Sequence, residues 1–174
     1  WNSTKIWQQV VTLMAEHLKT INPGKSADYD KNAEAYKKQI QETDTWAKEQ
    51  TEKIPADRRV LVTGHDAFNY FGRAYNIEIH ATDFVSSDAD LSADEISELA
   101  DLIATHKLPV IFQDNLKNPQ AIQSLKEAVA AKGWTVEVSD KELYADSLGS
   151  ESGVDTYLGV MKHNVETIVG ALSS

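Results

Sequence analysis

The chain has 174 residues, with 17 Lys and Arg against 27 Asp and Glu, and a formal net charge of −10. This balance excludes a basic nucleic-acid binder, because an acidic surface repels phosphate backbones, and it weakly favours cations as partners. With 41% hydrophobic and 25% charged residues, the composition is typical of one globular domain, or of one domain with an extension. There is no cysteine, which excludes disulfides, thiolate metal sites and cysteine nucleophiles, and no apolar run approaches the roughly 20 residues of a membrane span.

The first third of the chain predicts two helices. Apolar residues recur there at steps of three and four, the pattern of an amphipathic helix. This pattern comprises Ile6, Val10, Leu13, Met14, Leu18 and Ile21. Residues 22–24, Asn-Pro-Gly, end the first helix. Ser26 is predicted to cap a second helix that reaches about Lys53, shortly before Pro55. Its apolar face is narrow and its length is roughly 40 Å, so this helix is expected to lie along the domain rather than inside its core.

The remainder of the chain alternates short β-rich runs with helical stretches. Such an alternation predicts an α/β fold, in which a parallel sheet is flanked by helices and preceded by the long helix. Ser92 and Glu95 form a capping box that opens one of these helices. The predicted strands are residues 59–63, 77–84, 109–112 and 135–138, and the predicted helices are residues 67–75, the helix opened by Ser92, residues 119–132 after a cap at Asn118, and residues 154–172.

Ligands of such folds bind beyond the carboxyl ends of the strands. His65 stands at a strand end after Gly64, where a neutral imidazole either binds a divalent metal or makes a structural hydrogen bond. Asp146 lies in residues 143–149 and is either a carboxylate metal ligand or a turn former. Asp66 is predicted to be the amino-terminal cap of the next helix.

Other polar residues are weaker candidates for a metal site. Asp114 and Asn115 follow a strand and are placed to orient His65 by hydrogen bonding. The remaining histidines form no pair at metal-ligand spacing on one helix face, so they are expected to be exposed or hydrogen-bonded; they are His17, His80, His106 and His163. The sequence contains no glycine-rich phosphate loop and no nucleophile elbow.

Four stretches of the chain resemble the zinc and manganese solute-binding proteins of ABC importers. Residues 60–75, with the sequence VLVTGHDAFNYFGRAY, are similar to the segment that carries the third metal ligand of that family. Residues 143–149 are similar to its fourth-ligand loop, and residues 155–161 and 162–165 also agree in order and spacing. The resemblance extends over essentially the whole chain from Trp1.

The resemblance implies two α/β lobes joined by a long rigid helix, with a metal held between them by four side chains. Residues 1–25 would then end the amino-terminal lobe, residues 26–54 would form the connecting helix, and residues 55–174 would form the carboxyl-terminal metal-binding lobe. Carried over by motif, His65 is the third metal ligand and Asp146 is the fourth.

Two departures from the family pattern concern the metal site. The first two ligands of the family are histidines of the amino-terminal lobe, and the second normally stands just before a Trp that resembles Trp1. The chain is therefore expected to lack both, and because two ligands are too few for a closed tetrahedral site, we expect weak metal binding. Residues 113–115, Gln-Asp-Asn, also differ from the Glu-Ser version common in the family, which weakens the expectation that they orient His65.

The implied function is that of an extracytoplasmic receptor, a periplasmic protein or a cell-surface lipoprotein, that captures zinc or manganese and delivers it to a membrane permease. Histidine as the third ligand is associated in the family with zinc or with mixed use, and imidazole suits zinc whereas carboxylates suit manganese. The receptor is expected to be a monomer and not an enzyme. Two alternatives stay open, namely a metal-dependent hydrolase or chelatase-like enzyme and an adhesin-like lobe with incidental metal.

Overall fold

The computed structural model describes residues 1–64, 66–81, 92–113 and 119–173. Two leading helices are followed by alternating strands and helices, as the sequence predicts. The helices are α1 (Thr4–Ile21), α2 (Ser26–Thr51), α3 (Asn69–Tyr75), α4 (Ala93–Thr105), α5 (Pro119–Ala131) and α6 (Tyr157–Leu172). The strands are β1 (Val60–Thr63), β2 (Glu78–Ala81), β3 (Val110–Ile111) and β4 (Glu137–Val138).

The two leading helices are joined by a short 3-10 turn at Pro23–Lys25. The prediction that Ser26 caps α2 is wrong, because the turn leads directly into the helix and Ser26 is already its first residue. The Ser26 hydroxyl donates instead to the Pro23 carbonyl at 2.8 Å. α2 ends at Thr51, slightly before the predicted Lys53, and its 26 residues give a length of about 39 Å.

All four strands are parallel to their partners in the sheet. β1 pairs with β2 and β3 pairs with β4, and a single bridge between Thr63 and Phe112 connects the two pairs. The strand order is therefore β2-β1-β3-β4. β3 and β4 are shorter than predicted because their ladder extends over two residues in each strand, and residues 82–84 of the second predicted strand lie outside the described residues. The predicted α/β fold with a parallel sheet is confirmed.

Strand β1 is buried on both of its faces. Leu61 packs in a core cluster with residues of α2, α3 and α6, whereas Val60 and Val62 pack in a second cluster with residues of α4 and α5. The alternation follows from the two-residue period of a strand, and burial on both faces explains the unbroken apolar run of this segment. The predicted arrangement of helices on the two sides of the sheet is thereby confirmed.

Helix caps set the start of α4 and α6. α4 opens with the predicted capping box, since the Ser92 side chain accepts from the Glu95 N–H and the Glu95 carboxylate accepts from the Ser92 N–H. α6 begins at Tyr157 rather than at Val154, because Thr156 is the cap and its hydroxyl accepts from the Gly159 N–H. The predicted cap of α5, Asn118, lies outside the described residues.

Helix α1 presents an apolar stripe that the described residues leave exposed. Leu13 and Ile21 are 68% and 67% exposed, and Met14 is 58% exposed. The amino half of α2 is also open, since the first buried residue of that helix is Ile40. The stripe does not indicate a membrane span: of the helices in the described ranges, none is both long enough and apolar enough to cross a bilayer.

Candidate metal site

Two loops beyond the strands carry the predicted metal ligands. The β1–α3 loop (residues 64–68) follows β1 directly, and its described residues include Gly64 and Asp66, whereas His65 lies outside them. The Asp146 loop (residues 142–148) lies between β4 and α6, and Asp146 itself is exposed. The predicted orienting residues Asp114 and Asn115 also lie outside the described residues.

Helix α6 holds the Asp146 loop through two consecutive side chains. The fully buried Asn164 carboxamide accepts from the Tyr144 N–H and donates to the Tyr144 carbonyl, each at 3.0 Å. His163 Nε2 donates to the Glu142 carbonyl at 2.8 Å, and the His163 ring meets the Tyr144 ring edge-on. His163 is thus a hydrogen-bonded histidine, as predicted. Together these contacts fix the backbone that leads to Asp146.

The first two residues of the chain connect the two loops. Trp1 Nε1 donates to the Ala145 carbonyl at 2.7 Å. Asn2 Nδ2 donates to the Ala67 carbonyl at 3.0 Å and to the Ala145 carbonyl at 3.4 Å. Ala67 comes two residues after His65 and Ala145 comes directly before Asp146, so these bonds draw together the chain segments of both predicted ligands. Sequence reasoning missed Asn2, because a polar residue before a helix cap gives no signal of a distant partner.

The β1–α3 loop differs from the prediction at Asp66, which does not cap α3. Phe68 occupies the cap position and makes no side-chain capping bond. Asp66 Oδ1 instead accepts from Asn69 Nδ2. The helix begins later than predicted because the Ala67 carbonyl turns toward Asn2 and the Phe68 side chain is fully buried in the core.

A buried carboxylate ties the start of α1 to α2 and α3. Asp44 Oδ1 accepts from Thr4 Oγ1 at 2.6 Å and from the Tyr75 hydroxyl at 3.2 Å, while Asp44 Oδ2 accepts from Lys48 Nζ at 2.6 Å. Burial alone would raise the pKa of Asp44, but the bonds from Lys48, Thr4 and Tyr75 hold that pKa below its ordinary value of 3.8. Burial raises the pKa of Tyr75, so this phenol remains a donor. The network anchors Thr4, and hence the residues that precede it, to the long helix.

The described residues do not by themselves complete a metal site. Within the ranges that the structure describes, no group of three or more His, Asp or Glu side chains could hold a metal ion. His80 Nε2 lies 2.7 Å from Glu78 Oε1, and His106 Nδ1 donates to the Asp57 carbonyl at 2.7 Å. Both histidines are hydrogen-bonded, as predicted. Of the two predicted ligands, the structure describes Asp146 but not His65. It does describe Gly64 and Asp66, the neighbours of His65 in the chain.

Known proteins are similar to this chain along its whole length. The family model of the periplasmic zinc-uptake complex component A, ZnuA, matches residues 1–171. The zinc-binding protein TroA of Treponema pallidum (strain Nichols) is 37% identical over 174 residues, which cover 99% of this chain and 56% of TroA. The manganese-binding lipoprotein MntA of Bacillus subtilis (strain 168) is 32% identical over 173 residues, which cover 99% of this chain and 56% of MntA.

The fold is also that of a solved relative. The structure of the periplasmic zinc-binding protein TroA from Treponema pallidum matches with a TM-score of 0.89 at 37% identity, covering 100% of this chain and 63% of that structure. The chain therefore spans somewhat more than half the length of TroA and MntA. The predicted resemblance to zinc and manganese solute-binding proteins is confirmed, and the chain belongs to the family of periplasmic zinc-uptake component A proteins.

Proposed function

We propose that this chain is part of an extracytoplasmic receptor that captures zinc or manganese for an ABC importer. The observation that carries the proposal is the junction of the β1–α3 loop and the Asp146 loop, which share the Asn2 carboxamide as a hydrogen-bond donor. The relatives are named as a zinc-binding protein and a manganese-binding lipoprotein, and the family is described as periplasmic. In this proposal the receptor is a monomer that hands its metal to a membrane permease and performs no covalent chemistry.

His65 and Asp146 are the residues proposed to bind the metal. An imidazole and a carboxylate are ligands that suit both zinc and manganese. The net charge of −10 raises the local concentration of cations around the protein. Because two protein ligands leave a four-coordinate site half complete, the other two ligands are assigned to the amino-terminal lobe of the receptor.

The domain boundaries implied by the resemblance form part of this proposal. Residues 1–25 belong to the amino-terminal lobe, residues 26–54 to the connecting helix, and residues 55–174 to the carboxyl-terminal lobe. The exposed stripe on α1 supports the first assignment, since Leu13 at 68% and Ile21 at 67% exposure form an apolar face of the kind that proteins normally cover.

The test is a calorimetric titration of zinc and of manganese into the 174-residue chain and its His65→Ala and Asp146→Ala variants. We expect weak binding, with zinc ahead of manganese as in most nitrogen and oxygen sites, and a loss of about tenfold or more in each variant. His106→Ala is the control, because its ring is already hydrogen-bonded to the Asp57 carbonyl and is not a proposed ligand. Submicromolar affinity for this chain, or equal binding by all four proteins, would contradict the ligand assignment.

A further inference from the structure

We propose that Asn2 is a positioning residue that sets the spacing between the β1–α3 loop and the Asp146 loop. The inference rests on the proposed function, because it concerns the two loops that carry the proposed metal ligands. Its starting point is that one side-chain nitrogen donates to both loops, to the Ala67 carbonyl at 3.0 Å and to the Ala145 carbonyl at 3.4 Å.

The geometry of the Asn2 carboxamide limits the distance between the two loops. Both N–H groups of Asn2 are on the same nitrogen, so the two carbonyl oxygens that they bind at 3.0 and 3.4 Å are at most about 6.4 Å apart. Asn2 is only 3% exposed, so water competes little for these bonds. A change at this one side chain therefore alters the distance between the two loops directly.

Several other contacts hold the Asp146 loop independently of Asn2. Trp1 donates to the Ala145 carbonyl, and Asn164 exchanges two hydrogen bonds with Tyr144. The backbone N–H of Leu143 also donates to the Gln113 carbonyl at 3.2 Å. If Asn2 is replaced, the Asp146 loop therefore keeps these contacts, whereas the β1–α3 loop loses its bond to the amino terminus.

The single oxygen of the Asn2 carboxamide argues against a role in packing alone. Asn2 Oδ1 is buried, and no described residue donates a hydrogen bond to it. A buried acceptor without a donor is unfavourable, and leucine has the same branching at Cγ with no polar atom to bury. Packing alone would thus favour an apolar residue at this position, and the two N–H groups are what the carboxamide adds.

The experiment compares Asn2→Leu with Thr51→Val in the 174-residue chain, with zinc as the probe. Thr51→Val is the matched control, because it removes a buried hydrogen bond, from Thr51 Oγ1 to the Ala47 carbonyl at 2.9 Å, within α2 and outside both loops. We expect Asn2→Leu to weaken zinc binding about tenfold or more, because it removes bonds that position the backbone near both proposed ligands, and Thr51→Val to leave the zinc affinity unchanged.

Amide hydrogen exchange of the metal-free chain gives a readout that general destabilisation would not reproduce. In Asn2→Leu, the amides of residues 66–68 are expected to exchange faster, while that of Tyr144, which Asn164 binds, keeps its protection. If Asn2→Leu does not fold, Asn2→Ala replaces it. Zinc affinity equal to that of the unaltered chain, or uniform acceleration of exchange in both loops, would overturn the positioning role.

The outcomes distinguish this inference from the proposed function. If the unaltered chain binds zinc through His65 and Asn2→Leu has no effect, only this inference fails. If the unaltered chain binds no zinc, the proposed function fails with it.

Discussion

The two halves of the long helix α2 differ in what covers them. Its carboxyl half is buried against the rest of the fold, with Ile40 and Ala47 fully buried in the core cluster that includes α6 residues. Its amino half contains no buried residue and runs alongside α1, whose Leu13 and Ile21 are exposed. The α1–α2 pair is therefore anchored at one end, and its other end depends on helix propensity and surface pairs rather than on a core.

The largest effect is expected from Ile40→Ala in the buried half. The free energy of unfolding should fall by about 2–5 kcal/mol, because a fully buried side chain is lost and a cavity remains. Leu13→Ala on the exposed stripe is the matched change, and it should alter the free energy of unfolding by less than about 0.5 kcal/mol. Urea unfolding followed by circular dichroism measures both, and equal losses would remove the distinction between the two halves.

A smaller loss is expected from Asp44→Asn, which should cost about 1–3 kcal/mol at neutral pH because the buried bonds to Thr4, Tyr75 and Lys48 are weakened or lost. The effect should depend on pH. The pKa of Asp44 is lower in the folded chain than its ordinary value of 3.8, so its contribution is present above about pH 4 and is lost as the pH falls through the folded value. The stability difference between the two proteins should therefore shrink on acidification. Asp28→Asn, at an exposed surface pair, serves as the control, and a difference that stays constant down to pH 2 would contradict this account.

A change in association rather than stability is expected from Leu13→Gln combined with Ile21→Gln. Both side chains are mostly exposed in this chain, so the unfolding midpoint should hardly move. Self-association at high protein concentration should decrease, because the apolar stripe of α1 becomes polar. Sedimentation velocity gives the readout. A clear loss of stability would mean that the stripe is packed within this chain, contrary to the comparison.

The smallest effect is expected from Lys19→Gln at the open end of the helix pair. Lys19 Nζ lies 2.7 Å from Glu16 Oε1 and 2.8 Å from Asp30 Oδ1, and it thereby links α1 to α2. Exposed ion pairs contribute little and are screened by salt. The variant should differ slightly in its unfolding midpoint at low ionic strength, and the difference should vanish at about 1 M salt; a difference that persists there would indicate packing rather than charge.

Local signals in the sequence were sufficient for most of the fold. The periodicity of α1, the capping box of Ser92 and Glu95 and the apolar run of β1 each depend on neighbouring residues, and all three were predicted. The caps assigned to Ser26 and Asp66 were wrong, because a cap depends on the direction from which the chain enters the helix. For Ser26 that direction is set by the 3-10 turn, and for Asp66 by the bond from Asn2 to Ala67.

The candidate site was less accessible to sequence reasoning than the fold. The chemistry of His65 and Asp146 left a structural role open for each, and only the family resemblance favoured a ligand role. Asn2 could not be found at all, since its partner Ala145 is 143 residues away in sequence. Contacts of that separation are created by the packing of α1, α2 and α6, which no local pattern encodes.

The indole of Trp1 has a practical consequence for measurement. Its N–H donates to the Ala145 carbonyl at 2.7 Å, one residue before Asp146. Indole emission responds to changes in hydrogen bonding and in nearby charge, so a cation bound at Asp146 should shift the fluorescence of Trp1. The three other tryptophans, Trp7, Trp46 and Trp134, can be replaced by phenylalanine to remove their background. If Asp146 binds the metal as proposed, Trp1 is thus an optical reporter of loading, and metal binding can be followed in real time without an attached dye.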